Sequence, residues 1–436
     1  MNTFVAESRI RRTDGEVGVT LETADAASPF GPLAHPQFFS GFLARPDVVA
    51  AGLLAVAEVA GTRYFDLGAL RASRDPIVTA SGDRLRFESF SGENGVYARL
   101  DVLADGIDSG DVGFGTTNID LNDPIRRGLA ALGRSELVHL AVGDDEVRMS
   151  TPGGTHIERE VELPERWRRG LAQSPLIAER MMKRATMGGP AAGLFLRSLP
   201  PGAPGPSLHL VPAPSGLRKA LFASADSIPL TGASRIGSAR RIARFATGLT
   251  IMASEDGASG WVFELPGARF TLMLSPEPWR GFSGEGALLS DLTGADGSSA
   301  RVVAEQLAWE PAIDIEQIAR DTGLSVAATR AGIARLASAG RVGFDIAEQA
   351  WFHRELPGGE DTVDADNPRL VGARELVSAR AVSVTSSGWT VESNGNDYYV
   401  DRVAGTWRCS CLWWARHYGS RGPCKHVLAV QLTEAH

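Results

Sequence analysis

The chain has 436 residues, of which 43% are hydrophobic and 22% charged, and its formal net charge is −8. This composition excludes a globally disordered chain, and the length predicts about two to four domains at ~100–200 residues each. The acidic balance excludes a general binder of phosphate backbones, and three cysteines clustered between positions 409 and 424 exclude a disulfide framework. The sequence also lacks an apolar run of membrane-spanning length and a signal-peptide core at its start, so we expect a cytoplasmic protein.

Residues 1–187 are expected to form an α+β domain. Apolar residues recur at helical spacing from Phe38 to Tyr64, which predicts a helix. Alternating apolar residues in 85–90 and 96–103, with glycines between them, predict a β-hairpin. A second helix is predicted near Pro124–Leu132, and strand-like segments follow it.

Residues 188–216 are predicted to be a linker, because they contain the segments GGPAAG and PPGAPGP. Residues 217–297 are predicted to form a second α+β unit that begins with a basic helix from Leu217 to Phe245. Three short strand patterns follow and predict an antiparallel meander. They are Leu249–Ala253, Trp261–Leu265 and Phe270–Leu274.

A basic run, RIGSARRIAR, lies in that predicted helix at 235–244. It contains Arg235, Arg240, Arg241 and Arg244. A solvated helix face is the favoured interpretation, and a phosphate-binding site is the alternative.

Residues 298–356 have the pattern of three short helices and a hairpin. Asp314 and Ser325 are expected to cap the second and third helices, and Gly340 to end the third. Two strand patterns after Gly340, at 342–346 and 350–353, predict the hairpin.

This layout, with the segment GLSVAATRAGIARLASAGRV, resembles the winged helix-turn-helix family. The resemblance implies either DNA reading or protein docking. The predicted outer face of the third helix is mostly alanine and offers two arginines, Arg330 and Arg335. Since base reading and phosphate contact need several donors, we favour protein docking.

The last part of the chain is predicted to be an acidic linker, 357–369, followed by a small module, 370–436. In the module an Asn-Gly pair joins two strand patterns, 389–393 and 398–402, and this is the strongest hairpin signal in the chain. A third strand is expected through 407–411.

The candidate metal ligands of this module are Cys409, Cys411, Cys424 and His426. Residues two apart in a strand point the same way, so Cys409 and Cys411 can converge on one ion. Cys424 and His426 can join them if Cys424 precedes a helix and His426 lies in its first turn. Thiolates and imidazole are the donors that Zn²⁺ prefers, so we expect one zinc ion. His417 is a competing fourth ligand, and we rank His426 ahead of it.

The C-x-C…C-x-H spacing in WRCSCLWWARHYGSRGPCKHVLAV resembles the SWIM zinc finger, across about residues 389–432. The resemblance implies a zinc-binding module for contacts with DNA or protein. An α+β body before a C-terminal finger is also similar to bacterial SWIM proteins. Those are often encoded beside MoxR-type AAA+ ATPases and von Willebrand A-domain proteins, which suggests such a partner.

The loop between the cysteine pairs could also contact nucleic acid. Arg416, Arg421 and Lys425 could meet phosphates while Trp413 and Trp414 stack on bases. The alternative is that these tryptophans cover the zinc site.

The sequence therefore predicts an α+β multi-domain protein: a mixed helix and antiparallel-sheet body, a winged-helix-like segment and a C-terminal ββα-type zinc finger. Four protein ligands predict a structural zinc rather than a catalytic one. No phosphate loop, nucleophile elbow or metalloprotease motif is recognised. The favoured function is a non-enzymatic adaptor. The alternatives are a DNA-binding regulator that uses the finger and winged helix, and an enzyme with a site in the α+β body.

Overall fold

A computed structural model of the chain describes residues 9–13, 16–20, 27–28, 31–32, 37–63, 76–119, 121–143, 146–159, 165–199, 208–213, 216–224, 227–277, 281–282, 297–356, 368–419 and 422–435. The chain forms two compact units. The first comprises Met1–Ser283, Ala308–Ile313 and Val342–Pro357, and the second comprises Gly284–Leu307, Asp314–Arg341 and Gly358–His436. None of the helices in the described ranges combines the length and the apolar character that a membrane span requires.

The fold is α+β, as predicted. The described α-helices are α1 (Pro46–Ala60), α2 (Asp123–Ala131), α3 (Glu165–Glu179), α4 (Gly189–Ser198), α5 (Gly297–Ala304), α6 (Ile315–Thr322), α7 (Val326–Ser338), α8 (Pro368–Ser378), α9 (Leu412–His417) and α10 (Lys425–Ala435). Two 3₁₀ helices span Ala104–Gly106 and Ala233–Arg240. The described strands are β1 (Arg9–Thr13), β2 (Glu16–Thr20), β3 (Ala27–Ser28), β4 (Gly31–Pro32), β5 (Gln37–Leu43), β6 (Ile77–Ser81), β7 (Leu85–Phe90), β8 (Val96–Val102), β9 (Ile107–Val112), β10 (Phe114–Asn118), β11 (His139–Gly143), β12 (Glu146–Thr151), β13 (Gly154–Arg159), β14 (Met182–Gly188), β15 (Leu208–Ala213), β16 (Gly216–Ala220), β17 (Ile228–Leu230), β18 (Gly248–Ala253), β19 (Ser259–Leu265), β20 (Ala268–Leu274), β21 (Val342–Asp345), β22 (Ala350–His353), β23 (Val382–Thr385), β24 (Gly388–Ser393), β25 (Asn396–Val403) and β26 (Thr406–Cys409).

The first unit is built on an eight-stranded antiparallel sheet with the order β10-β6-β7-β8-β20-β19-β18-β14. The predicted hairpin forms as β7 and β8, and the predicted meander forms as β18, β19 and β20. Because β8 pairs with β20, the two α+β units predicted at 1–187 and 217–297 share one sheet. The structure thus differs from the predicted domain division.

Helix α1 covers the apolar face of this sheet. Pro46 starts the helix, since its fixed φ suits a first helical position. Gly52 lets the helix approach β8, because a Cβ there would lie 2.5 Å from the Leu100 side chain. The helix is shorter than the predicted range from Phe38 to Tyr64, because the residues up to Leu43 form strand β5 and the helix ends at Ala60.

The first unit also contains a five-stranded sheet and a three-stranded sheet. One has the order β13-β12-β11-β5-β9, and the other has the order β16-β15-β17. The segment predicted as a linker, 188–216, contains α4 and β15 instead. Phe195 and Leu196 on α4 are buried, and the Phe195 ring stacks on Trp261 with centroids 5.8 Å apart. In GGPAAG the proline starts helix α4, whereas PPGAPGP lies outside the described residues.

The basic segment 235–244 is not part of a long helix. The predicted helix from Leu217 to Phe245 is replaced by β16, β17 and a 3₁₀ helix, which follows Gly232 in a left-handed conformation (φ 70°). Arg235 is fully buried and donates hydrogen bonds to the backbone oxygens of Thr231, Ser275 and Gly95. These bonds give Arg235 a structural role, in contrast to both sequence interpretations.

The other three arginines of that segment, Arg240, Arg241 and Arg244, are exposed. Arg240 donates to the backbone oxygen of Leu199, and Arg241 pairs with Glu58 at 3.2 Å. Their exposure agrees with the favoured interpretation of a solvated surface.

The three predicted helices of 298–356 form as α5, α6 and α7 in the second unit. Asp314 accepts a hydrogen bond from the Gln317 N–H, and Ser325 accepts one from the Ala328 N–H, so both predicted caps are present. The predicted hairpin forms as β21 and β22 but belongs to the first unit. The winged-helix assembly therefore stays a prediction. Arg335 is buried, which leaves Arg330 as the exposed arginine on α7.

Candidate metal centre

The finger begins with a four-stranded antiparallel sheet in the order β23-β24-β25-β26. Asn394 and Gly395 have positive φ values of 53° and 72° and form the predicted two-residue turn between β24 and β25. Strand β26 pairs with β25 so that Cys409 lies opposite Val400. Cys409 is thus fixed at the end of a hydrogen-bonded strand.

Cys411 is held differently from the strand position that the sequence predicts. The ladder continues through Ser410, which exchanges two hydrogen bonds with Tyr399, and the chain then turns into helix α9. Cys411 caps this helix, and its Sγ accepts a hydrogen bond from the Trp414 N–H at 3.4 Å. The two cysteines still converge, but through a strand end and a helix start.

Cys424 and His426 lie where the sequence places them. Helix α10 starts at Lys425, so Cys424 immediately precedes it and His426 is in its first turn. The Cys424 backbone oxygen accepts from the Leu428 N–H at 3.0 Å, which fixes Cys424 to the helix start. The free N–H groups and the dipole of a helix start favour a thiolate there.

The four side chains form one buried cluster whose ligand atoms all lie within 4.8 Å of one another. Nδ1 of His426 lies 3.7 Å from Cys409 Sγ and 4.0 Å from Cys424 Sγ. A tetrahedral zinc site with ordinary bond lengths has ligand–ligand edges of about 3.5–3.8 Å. Three thiolates and one imidazole at these separations fit one structural zinc ion.

Without a metal ion, the thiols of the cluster differ in pKa. Hydrogen bonds from Cys409 and Cys424 lower the pKa of Cys411, and the corresponding bond to Cys411 raises the pKa of Cys409. The proton of Cys411 is therefore held less strongly than that of Cys409. Zinc binding would displace the thiol protons.

The His426 ring is oriented by stacking. The Tyr398 ring lies against it with centroids 4.1 Å apart and planes 16° apart. Tyr398 is on β25, two residues before Val400, and therefore faces the cluster. Sequence reasoning missed this contact, although strand alternation could have indicated it.

The loop tryptophans take part in the fold of the finger. The Trp413 ring lies 4.6 Å from the Arg369 guanidinium and 4.5 Å from the His417 ring. Arg369 also donates to the Pro423 backbone oxygen, so this contact ties α8 to the turn before α10. His417 is accordingly outside the metal cluster. Whether Trp413 covers the zinc site or stacks on bases stays a prediction.

Nucleic-acid binding by the other candidate residues stays a prediction. Arg416 is exposed, while Trp414 and Lys425 are half-buried. Arg421 lies outside the described residues.

A second aromatic surface was not foreseen from the sequence. The rings of Trp389 and Trp407 lie 5.4 Å apart, and the Arg402 guanidinium lies 5.0 Å from the Trp407 ring. Beside them on the same sheet face, Val384 is 79% exposed. We call Trp389, Arg402, Trp407 and Val384 the tryptophan patch. Strand alternation places it on the face that carries Cys409.

Comparison with known proteins agrees with this geometry. The SWIM zinc finger model matches residues 394–433, which include all four clustered residues. Residues 394–433 are therefore a SWIM zinc finger. No curated protein matches the chain.

Two solved structures are similar to about half of this chain. The Proliferating Cellular Nuclear Antigen from Entamoeba histolytica is 13% identical, with 55% of this chain and 99% of that chain covered and a TM-score of 0.37. The PCNA2-PCNA3 complex from Sulfolobus tokodaii is 9% identical, with 54% of this chain and 98% of that chain covered and a TM-score of 0.42.

Proposed function

We propose that this protein is a non-enzymatic adaptor that docks a protein partner through its zinc finger. The observation that supports this proposal is the presence, in one small sheet, of a closed metal site and a half-buried aromatic surface with Val384 and Arg402 exposed beside it. Four protein donors complete the coordination of zinc, so no position remains for a substrate or an activated water. The zinc then serves to hold the docking surface in shape.

The tryptophan patch has the composition of a protein-binding hot spot. Tryptophan and arginine are the residues most enriched at such sites, and here they are stacked on each other. The nearby acids Glu392, Asp397 and Asp401 alternate onto the opposite sheet face. The patch is therefore aromatic and positively charged, which suits an acidic protein segment.

A protein partner fits this patch better than a nucleic-acid duplex. A single arginine neutralises few phosphates, whereas duplex binding relies on several such contacts. The partner class to test first is a MoxR-type AAA+ ATPase or a von Willebrand A-domain protein, as the resemblance to bacterial SWIM proteins suggests. The alternative of a DNA-binding regulator is separated from it by nuclease treatment.

Reversing the charge of the patch is expected to weaken partner binding about tenfold or more, because Arg402 is its one charged residue and lies against the Trp407 ring. The full-length wild type, Arg402→Glu and Arg408→Glu would be compared in affinity captures from native-host lysate treated with nuclease. Arg408 is exposed on the opposite face of the same sheet, so Arg408→Glu is the matched control.

Recovery of an ATPase or von Willebrand A-domain protein by the wild type and the control, but not by Arg402→Glu, would support the proposal. Zinc content must stay at one ion per chain in all three proteins. Equal recovery by Arg402→Glu would exclude the patch as the docking surface. Loss of all partners on nuclease treatment would favour the DNA-binding alternative, and turnover of a substrate by the zinc-loaded protein would contradict a non-enzymatic role.

A further inference from the structure

Among the edge strands of the first unit's sheets, β9 and β14 are each paired on one side only within the described part of the chain. Strand β9, with the sequence IDSGDV, is the edge of the five-stranded sheet and pairs only with β5 there. Strand β14, with the sequence MKRATMG, is the edge of the eight-stranded sheet and pairs only with β18. Unpaired edges present rows of backbone donors and acceptors that can pair with another strand.

These two edges carry opposite charges. Asp108 and Asp111 are exposed on β9, which has no basic residue, and Lys183 and Arg184 are exposed on β14, which has no acidic residue. Among the described residues, none of these four side chains makes an ion pair. Each edge therefore repels a copy of itself and attracts the other edge.

We propose that β9 of one copy of this chain pairs with β14 of a second copy, in a head-to-tail contact. Opposite charges across a strand pair are favourable, whereas like charges directly opposite are unfavourable. The two strands also match in length, with six and seven residues. A contact between two different surfaces leaves one free edge on each copy, so the assembly closes into a ring or extends as a filament.

Other edges of the first unit fit a second copy less well. Strand β13 packs against α2. Strand β16 is basic, but it has five residues and its Lys219 already donates to the Ser198 backbone oxygen. Arg218 on β16 is exposed and provides a matched control for a basic residue on a different edge.

The test measures the mass of the full-length, zinc-loaded protein by analytical ultracentrifugation at low and high salt. We expect the wild type to assemble into multiples of one chain and to dissociate as salt screens the edges. Asp108→Lys with Asp111→Lys, or Lys183→Asp with Arg184→Asp, should each reduce the mass to one chain. Arg218→Asp should leave the wild-type mass unchanged.

Mixing the two double variants gives the decisive measurement. The variant with lysines on β9 has two basic edges, and the variant with aspartates on β14 has two acidic edges. The mixture should therefore assemble, while each variant alone should not. Misfolding cannot produce this recovery. A wild type that remains a single chain at every concentration, double variants that keep the wild-type mass, or a mixture that stays unassembled would overturn the proposal.

Discussion

Replacing Cys424 with serine is expected to unfold the C-terminal finger and to abolish zinc binding, while the first unit stays folded. Cys424 is 1% exposed and immediately precedes α10, which packs on all four strands of the sheet. Binding of a structural zinc supplies about 10–16 kcal/mol of folding free energy in small metal-dependent modules. Losing one of four ligands removes most of that contribution. Metal analysis and circular dichroism of the purified protein would measure the loss.

The matched control is His417→Ala. His417 is also a potential ligand between the cysteine pairs, but its ring contacts Trp413 rather than the cluster. This variant should retain one zinc ion per chain, with a loss of stability limited to the ring contact. Zinc loss in His417→Ala with retention in His426→Ala would contradict the assignment of the fourth ligand.

The centre of the finger could be foreseen because its signals are local. The Asn394–Gly395 turn fixes the register of β24 and β25, and the proline and glycine before Cys424 mark a helix start. The exact route through Cys411 could not be foreseen in this way. Helix α9 has six residues and is capped by a thiol, which is not among the usual capping side chains.

The body was harder to predict because its decisive contacts are distant in sequence. Strand β8 pairs with β20 about 170 residues later, and no local pattern identifies that partner. Composition was misleading at Gly189–Ser198, where proline starts a helix rather than marking a linker. The individual hairpins and caps were correct because each depends on a few adjacent residues.

The face of the large sheet opposite α1 carries buried charges that no sequence pattern indicated. Asp345, on β21, lies 2.7 Å from Arg99 and 3.7 Å from Arg86. Both arginines also pair with Asp101 on β8, at 2.8 Å and 3.0 Å. All four side chains are buried. The two carboxylates together neutralise the two guanidinium groups, and each carboxylate lies within 4 Å of both arginines.

Replacing Asp345 with asparagine is expected to destabilise the first unit by about 3–5 kcal/mol at neutral pH, because the buried guanidinium groups of Arg86 and Arg99 then share the single carboxylate of Asp101. Glu348→Gln is the matched control. Glu348 pairs with Arg84 and Arg269 at the half-exposed border of the same group, so its loss should cost about 1 kcal/mol or less. Denaturant unfolding would measure the loss of unfolding free energy in each variant. Equal losses would contradict the expectation that a buried carboxylate contributes more stability than a half-exposed one.

Lowering the pH should remove the contribution of Asp345 to the free energy of unfolding of the wild type. Burial alone would raise the pKa of Asp345, but the charges of Arg99 and Arg86 outweigh burial and hold that pKa below its ordinary value. A carboxyl whose pKa is lower in the folded state stabilises fully above its unfolded pKa of about 3.9, and loses this effect as pH falls toward the folded pKa. The difference in unfolding free energy between wild type and Asp345→Asn should therefore be constant above about pH 5 and shrink below about pH 4. A difference that stays constant down to pH values well below 4 would show that the lost stability comes from packing rather than from charge.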